Sequence, residues 1–142
     1  PEPTLAGIGE KGGNILISNG GWYLVVVTTA IEGRDLKYTV ELLEPNVYLT
    51  GDTSGGWDTF DEARLFTVPA TADGDFISPA FVANGELRMC VKLDGIDWWR
   101  SEFIILKEKI EYRGTGNDQD RVSVTAGKKA YLNFTAGTGS IK

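Results

Sequence analysis

No histidine occurs in the chain, and only one cysteine. The first absence removes the commonest general base and the commonest transition-metal ligand, and with them any histidine-dependent catalytic triad. The second leaves Cys90 without an internal disulfide partner. Cys90 lies mid-strand in Leu87-Arg88-Met89-Cys90-Val91-Lys92, which suits a small packing residue rather than a nucleophile. Basic residues are outnumbered 14 to 20, giving a formal net charge of −6. Nucleic acid and anionic membrane surfaces would repel such a chain, whereas an uncharged polymer feels no such penalty. No apolar run approaches the roughly 20 residues that span a bilayer, and no segment sustains a helical period. A start at Pro1 rather than methionine fits removal of a signal peptide or anchor.

What is present reads as strands. At 142 residues, with 42% hydrophobic and 24% charged, the chain is one folded domain, or one domain with a fragment of another. Asn14 to Ser18, Trp22 to Ile31 and Leu36 to Leu43 are strand-like, separated by Asn19-Gly20-Gly21 and by Gly33-Arg34-Asp35. Val25-Val26-Val27 predicts burial on both faces, and Trp22 a place in the core. Alternation of Leu36, Tyr38, Val40 and Leu42 with polar neighbours predicts one dry face. Pro45 ends this part. Beyond it, Asn46 to Thr50, Ala63 to Val68, Asp75 to Val82, Glu86 to Leu93 and Phe103 to Leu106 are strand candidates, and Arg121 to Val124 with Ala130 to Thr135 reads as a closing pair. Lys107 to Tyr112 is helix-tolerant but short. Many short strands between frequent turns predict an all-β, immunoglobulin-like antiparallel β-sandwich. A weak echo fits either two modules or two look-alike hairpins of one sandwich, and one compact unit for packing with a boundary at Pro45 is the expectation. Asn14-Ile-x-Ile-x-x-Gly20 before Tyr23-Leu24 resembles Arg121-Val-x-Val-x-x-Gly127 before Tyr131-Leu132. Residues 1–45 then form an N-terminal strand pair, the lead-in to the fold or the tail of a preceding module, and residues 46–142 form the module itself.

The candidate site is Asp94-Gly-Ile-Asp-Trp-Trp-Arg-Ser-Glu-Phe103. On an extended chain neighbouring side chains point to opposite faces, so Trp98 and Trp99 cannot both enter one sheet face. An indole left near water, with Lys92, Asp97 and Arg100 around it, suits a flat, hydroxyl-rich ligand. The same pair also suits rings that close one end of the sheets. Arg88 and Lys92 share one strand face in the predicted alternation and would reach the same outer surface. A solvated face with a cross-strand ion pair gives the same pattern. Trp57 follows Gly55-Gly56, where a ligand could approach the backbone, or it caps one end of the core. Asp52, Asp58 and Asp61 concentrate carboxylates without EF-hand spacing, so no metal is assigned. No cofactor is implied. Asp94, Asp97 and Glu102 do not single out a glycosidase pair, and the protein is read as non-catalytic.

Several of these pieces together resemble the carbohydrate-binding modules of the starch-utilisation outer-membrane proteins SusE and SusF. They are Val47-Tyr-Leu-Thr-Gly-Asp52 running into Gly55-Gly-Trp-Asp58, Gly85-Glu-Leu-Arg88, Trp98-Trp99, and Val122-x-Val-x-x-Gly127-x-x-x-Tyr131. The likeness covers roughly residues 46–135. Arg100-Ser-Glu102 departs from the Pro, Tyr or Gly that tends to follow the tryptophans in that family. The resemblance implies a lipid-anchored protein exposed at the outer-membrane surface that holds a neutral polysaccharide, starch-like α-glucan, beside other glycan-uptake proteins. Carried over, Trp98 and Trp99 supply the aromatic platform and Arg88 and Lys92 the strand's basic groups, with Asp97 and Trp57 as further contacts. The alternative is a spacer or protein-interaction module without a sugar site, which would bury Trp98 and Trp99 against neighbouring loops.

Overall fold

The structure, a computed structural model, describes residues 8–142. Residues 1–7 of the leading segment lie outside the described residues. Among the described residues every regular element is a β-strand or a short 3-10 turn, and no helix is long and apolar enough to cross a membrane. The chain is all-β, with every strand pairing antiparallel. It divides between Pro45 and Asn46 into two compact units.

The first unit holds two hairpins. Strands β1 (Ile8–Lys11) and β2 (Asn14–Ile17) are joined by Gly12-Gly13. Both glycines have positive φ, 61° and 79°, the conformation a two-residue hairpin turn demands. The sequence reading placed its turn later, at Asn19-Gly20-Gly21, and so missed this pair. Strands β3 (Leu24–Glu32) and β4 (Asp35–Leu43) run in register from Leu24↔Leu43 to Glu32↔Asp35. Their pairing puts Val25, Val27 and Ile31 on one face with Leu36, Tyr38 and Val40. That face is not dry: Val25, Val27, Ile31, Leu36 and Tyr38 are all exposed. Burial of the valine run on both faces is therefore corrected. A two-stranded ribbon has no second layer of its own to lay over it. Trp22 is likewise half-buried and precedes β3, outside any core.

The second unit contains β5 (Val47–Leu49), β6 (Phe76–Ile77), β7 (Gly85–Glu86), β8 (Met89–Val91), β9 (Glu102–Leu106), β10 (Lys109–Tyr112), β11 (Ser123–Val124), β12 (Ala130–Asn133) and β13 (Thr138–Ile141). Seven of these form one sheet in the order β5-β8-β9-β10-β13-β12-β6. Bridges from Leu65 to Tyr48 and from Thr67 to Ile77 join its two edges. The sheet thus curls back on itself, which is how this sandwich encloses its core. Leu49, Phe76, Phe81, Leu87, Met89, Phe103 and Leu132 are almost fully buried inside. Phe134 meets Phe76 and Phe103 edge-on at 5.0 and 5.8 Å. Gly139 has no side chain because a Cβ there would lie 2.6 Å from Cγ1 of Ile105.

Several predicted strands are shorter than their apolar patterns. Ala63–Val68 begins within a 3-10 turn (Glu62–Arg64), and Asp75–Val82 keeps only β6 as ladder because Pro79 cannot donate to one. Lys107–Tyr112 is not helical. Lys107 and Glu108 take positive φ, 50° and 63°, and turn β9 into β10. The closing pair is also corrected, since β11 pairs with β7 while β12 lies between β13 and β6.

The most consequential departure falls at Glu86–Leu93. This stretch is not one alternating strand. The chain changes ladders at Leu87-Arg88, with β7 pairing to β11 and β8 to β5 and β9. Four consecutive residues, Leu87 to Cys90, are buried as a result, at 1%, 7%, 0% and 0% exposure. Cys90 is enclosed, as a small packing residue would be, and burial pushes its thiol up to about 12, with the nearby Glu102 charge adding to the rise.

Candidate functional site

An open cleft of about 360 Å³ in the second unit is lined by Trp57, Arg88, Trp98, Trp99, Arg113 and Asp118. The tryptophans of the Asp94–Phe103 stretch do not sit on an extended segment. Trp98–Ser101 is a 3-10 turn, in which the Asp97 carbonyl accepts the Arg100 N–H at 3.0 Å. The Ser101 hydroxyl donates to the Trp98 carbonyl at 3.1 Å and also to the carbonyl of Val91, which ties the turn to β8. Successive side chains on a 3-10 turn diverge by about 120° rather than 180°. Both rings can therefore line one cleft, which the extended-chain argument excluded.

Trp57 meets Trp98 across the cleft with ring centroids 5.8 Å apart and planes tilted by 40°. Trp57 is 47% exposed and Trp99 39% exposed, while Trp98 is half-buried. Trp57 is thus no cap on the core. Trp99 lies beneath two guanidinium groups, those of Arg113 at 5.3 Å and Arg100 at 5.8 Å from its ring centre.

The floor is an ion-pair network that the sequence reading missed. Arg88 Nη1 donates to Glu102 Oε1 at 3.0 Å and to Asp118 Oδ1 at 2.7 Å. Its Nη2 donates to Glu86 Oε2 and Asp118 Oδ2, each at 3.2 Å. Arg113 Nη1 reaches the other Glu102 oxygen at 2.8 Å, and Arg121 binds Glu86 at 2.6 Å. Three arginines and three carboxylates alternate, so the floor is neutral as a whole. The hydrogen bond from Arg88 holds the Asp118 carboxyl down to about 2. The same bond, helped by the bond Arg88 donates to Glu102 and by the two carboxylate charges, raises the Arg88 guanidinium above its ordinary range against the cost of burial.

Of the residues proposed from sequence, the cleft brings together Trp57, Trp98, Trp99 and Arg88. Arg88 is at its base, buried, rather than on an outer strand face shared with Lys92. Lys92 Nζ instead donates to the carbonyls of Leu93 and Ile96 at 2.8 and 2.9 Å and braces the loop that leads to Trp98. Asp97 is exposed, opens the 3-10 turn, and does not line the cleft. Arg113 and Asp118 do line it, yet lie in a polar Gly/Asn/Asp stretch with no local pattern to mark them. Glu102 is fully buried between two arginines, which removes it from any hydrolytic pair at the surface. Among the described residues no three acidic side chains gather as a metal site. Asp61 pairs with Arg64, and Asp52 accepts from the Trp57 indole.

The second unit is thus an antiparallel β-sandwich whose open cleft carries a tilted tryptophan pair over a neutralised polar floor. Comparison with known proteins gives its class, a carbohydrate-binding module. A family described as "SusF/SusE starch specific CBMs" matches residues 46–140, and the chain belongs to this family. It is 48% identical over 143 residues to Outer membrane protein SusF of Bacteroides thetaiotaomicron, an alignment covering 97% of this chain and 29% of that protein. The crystal structure of SusF from Bacteroides thetaiotaomicron shares its fold with a TM-score of 0.86 at 48% identity, over 96% of this chain and 31% of that chain. The chain spans under a third of the length of these relatives.

Proposed function

We propose that residues 46–142 bind a neutral polysaccharide, a starch-like α-glucan, without catalysis, at the outer-membrane surface of a bacterial cell. The observation that carries this reading is the tilted pair formed by the exposed Trp57 and the half-buried Trp98 at the open cleft. A pyranose presents C–H groups on its faces and hydroxyls on its rim. The indoles remove the faces from water, while Asp118 and Arg113 at the cleft wall accept from and donate to the rim. Two rings inclined at 40° follow a chain that curves, as α-linked glucans do, better than a flat ribbon. Starch specificity in the matching family and the outer-membrane name of the relative support ligand and location. One such cleft makes few contacts, so useful retention would come from several modules engaging one polymer.

For residues 1–45 we propose the tail of a preceding module, supported by the one-sided apolar β3–β4 hairpin and by the greater length of the relatives. Slow hydrogen exchange of β3 and β4 in a longer chain, but not in this one, checks it.

The function is tested by affinity electrophoresis through gels containing amylopectin, a β-1,4-glucan or polygalacturonate. Amylopectin is expected to retard the protein and the others are not. Because the cleft's charges are paired internally, retardation should change less than about twofold between 0.05 and 0.5 M salt. It should also stay flat from pH 5 to 8. A carboxylate with a depressed folded pKa gives its full contribution above the ordinary carboxylate range, and the Asp118 contribution fades only as pH falls toward about 2. Equal retardation by the β-linked or the charged polymer contradicts the proposal.

A further inference from the structure

Trp57 is held in a socket formed by the loop Gly51–Gly56. Gly51 and Gly56 exchange backbone hydrogen bonds at 2.9 and 3.1 Å, pinching the loop between them shut. Gly55, at φ 84°, ends the 3-10 turn Asp52–Ser54. The Ser54 hydroxyl donates to the Gly51 carbonyl at 2.9 Å. Thr53 is buried beneath the loop, and its carbonyl accepts the Val82 N–H at 2.8 Å. The loop is therefore fixed from below as well as across its neck.

On this frame the Trp57 ring rests with its Cζ2–Cη2 edge against Gly51. A Cβ at Gly51 would stand 3.2 Å from both atoms, and φ there is 88°, so the position suits glycine on both counts. The ring has one polar atom, Nε1, and it donates to Asp52 Oδ1 at 3.1 Å. The indole is 47% exposed, so its contacts with Gly51 and Trp98 cover only part of it. The Asp52 bond is the directional contact that fixes it.

We propose that Asp52 is a positioning residue for the glycan platform: by holding the Trp57 indole N–H against the Gly51 seat, it presets the tilt between Trp57 and Trp98. This rests on the carbohydrate-binding reading above and adds to it the element that orders the site before ligand arrives. A platform ordered in advance loses less conformational freedom on binding. It also commits the Trp57 N–H to the protein, so this ring recognises a sugar by its face and not by donating to a hydroxyl.

The test compares Asp52→Ala and Asp52→Asn in the full chain by two readouts. The first is the exciton couplet of the Trp57–Trp98 pair in far-ultraviolet circular dichroism, identified by its loss in Trp57→Phe. The second is affinity for maltoheptaose by calorimetry. Asp52→Ala should lose the couplet and bind about fivefold more weakly while melting as a folded protein. Asp52→Asn keeps an acceptor oxygen at the same reach and should restore the couplet and stay within about twofold of the native affinity. A native couplet in Asp52→Ala overturns the proposal. So does loss of the couplet in Asp52→Asn if that variant remains folded. If the native protein binds no maltoheptaose, the carbohydrate reading fails by itself, and the couplet still decides whether Asp52 sets the ring.

Discussion

Replacing Arg88 by alanine is expected to destabilise the second unit by about 3–4 kcal/mol, the scale for breaking a buried ion pair from one side. Arg88 is 7% exposed and Glu102 1% exposed. Removing the guanidinium leaves the Glu102 carboxylate in the interior with Arg113 alone, and removes both Arg88 bonds to Asp118, which keeps only a 3.5 Å contact with Arg113. Against total stabilities of about 5–15 kcal/mol, a loss of this size is a large part of the whole. Urea denaturation followed by tryptophan fluorescence measures it. The Arg88→Met, Glu102→Met double variant should recover more than half of the loss, because the damage comes from the orphaned charge and not from missing attraction. A single-variant loss below about 1 kcal/mol would show that the network is solvated and loosely held.

The second large effect falls on binding. Trp57→Ala and Trp98→Ala are each expected to weaken α-glucan binding by about 2 kcal/mol, roughly thirtyfold, as anchor aromatics do when truncated. Their losses should not add in the double variant, since the rings stand 5.8 Å apart and share one ligand. Trp99→Ala should cost less, only severalfold, because guanidinium groups already lie over its ring and its contribution is to hold Arg113 in place. Trp22→Ala, in the first unit, should leave affinity unchanged. Calorimetry with maltoheptaose ranks all four. A larger loss in Trp99→Ala than in Trp98→Ala would move the platform to the other tryptophan.

The all-β class was legible in the sequence because turn residues recur every few positions, and short apolar runs between turns leave few alternatives. The tryptophans were legible as a candidate site because two adjacent indoles among charges cannot both enter one sheet face. The hidden parts were those that long-range pairing decides. Alternation across Glu86–Leu93 predicted an outward Arg88, but a ladder change at Leu87-Arg88 overrides alternation, and nothing local marks it. Arg113 and Asp118 could not be joined to Arg88 from their spacing, since the distance is closed by the β9–β10 hairpin and the loop after it. Trp57 stayed open between a ligand contact and a cap because Gly55-Gly56 says only that a turn occurs. That its ring meets Trp98 depends on where two separate loops end.

The most direct test of the central claim is a maltoheptaose titration of the indole N–H resonances, which four tryptophans make simple to resolve. Large, saturable shifts are expected for Trp57 and Trp98, a smaller one for Trp99, and none for Trp22. Saturable shifts confined to Trp22, or no shift at the Trp57–Trp98 pair at concentrations that saturate binding, would contradict the claim.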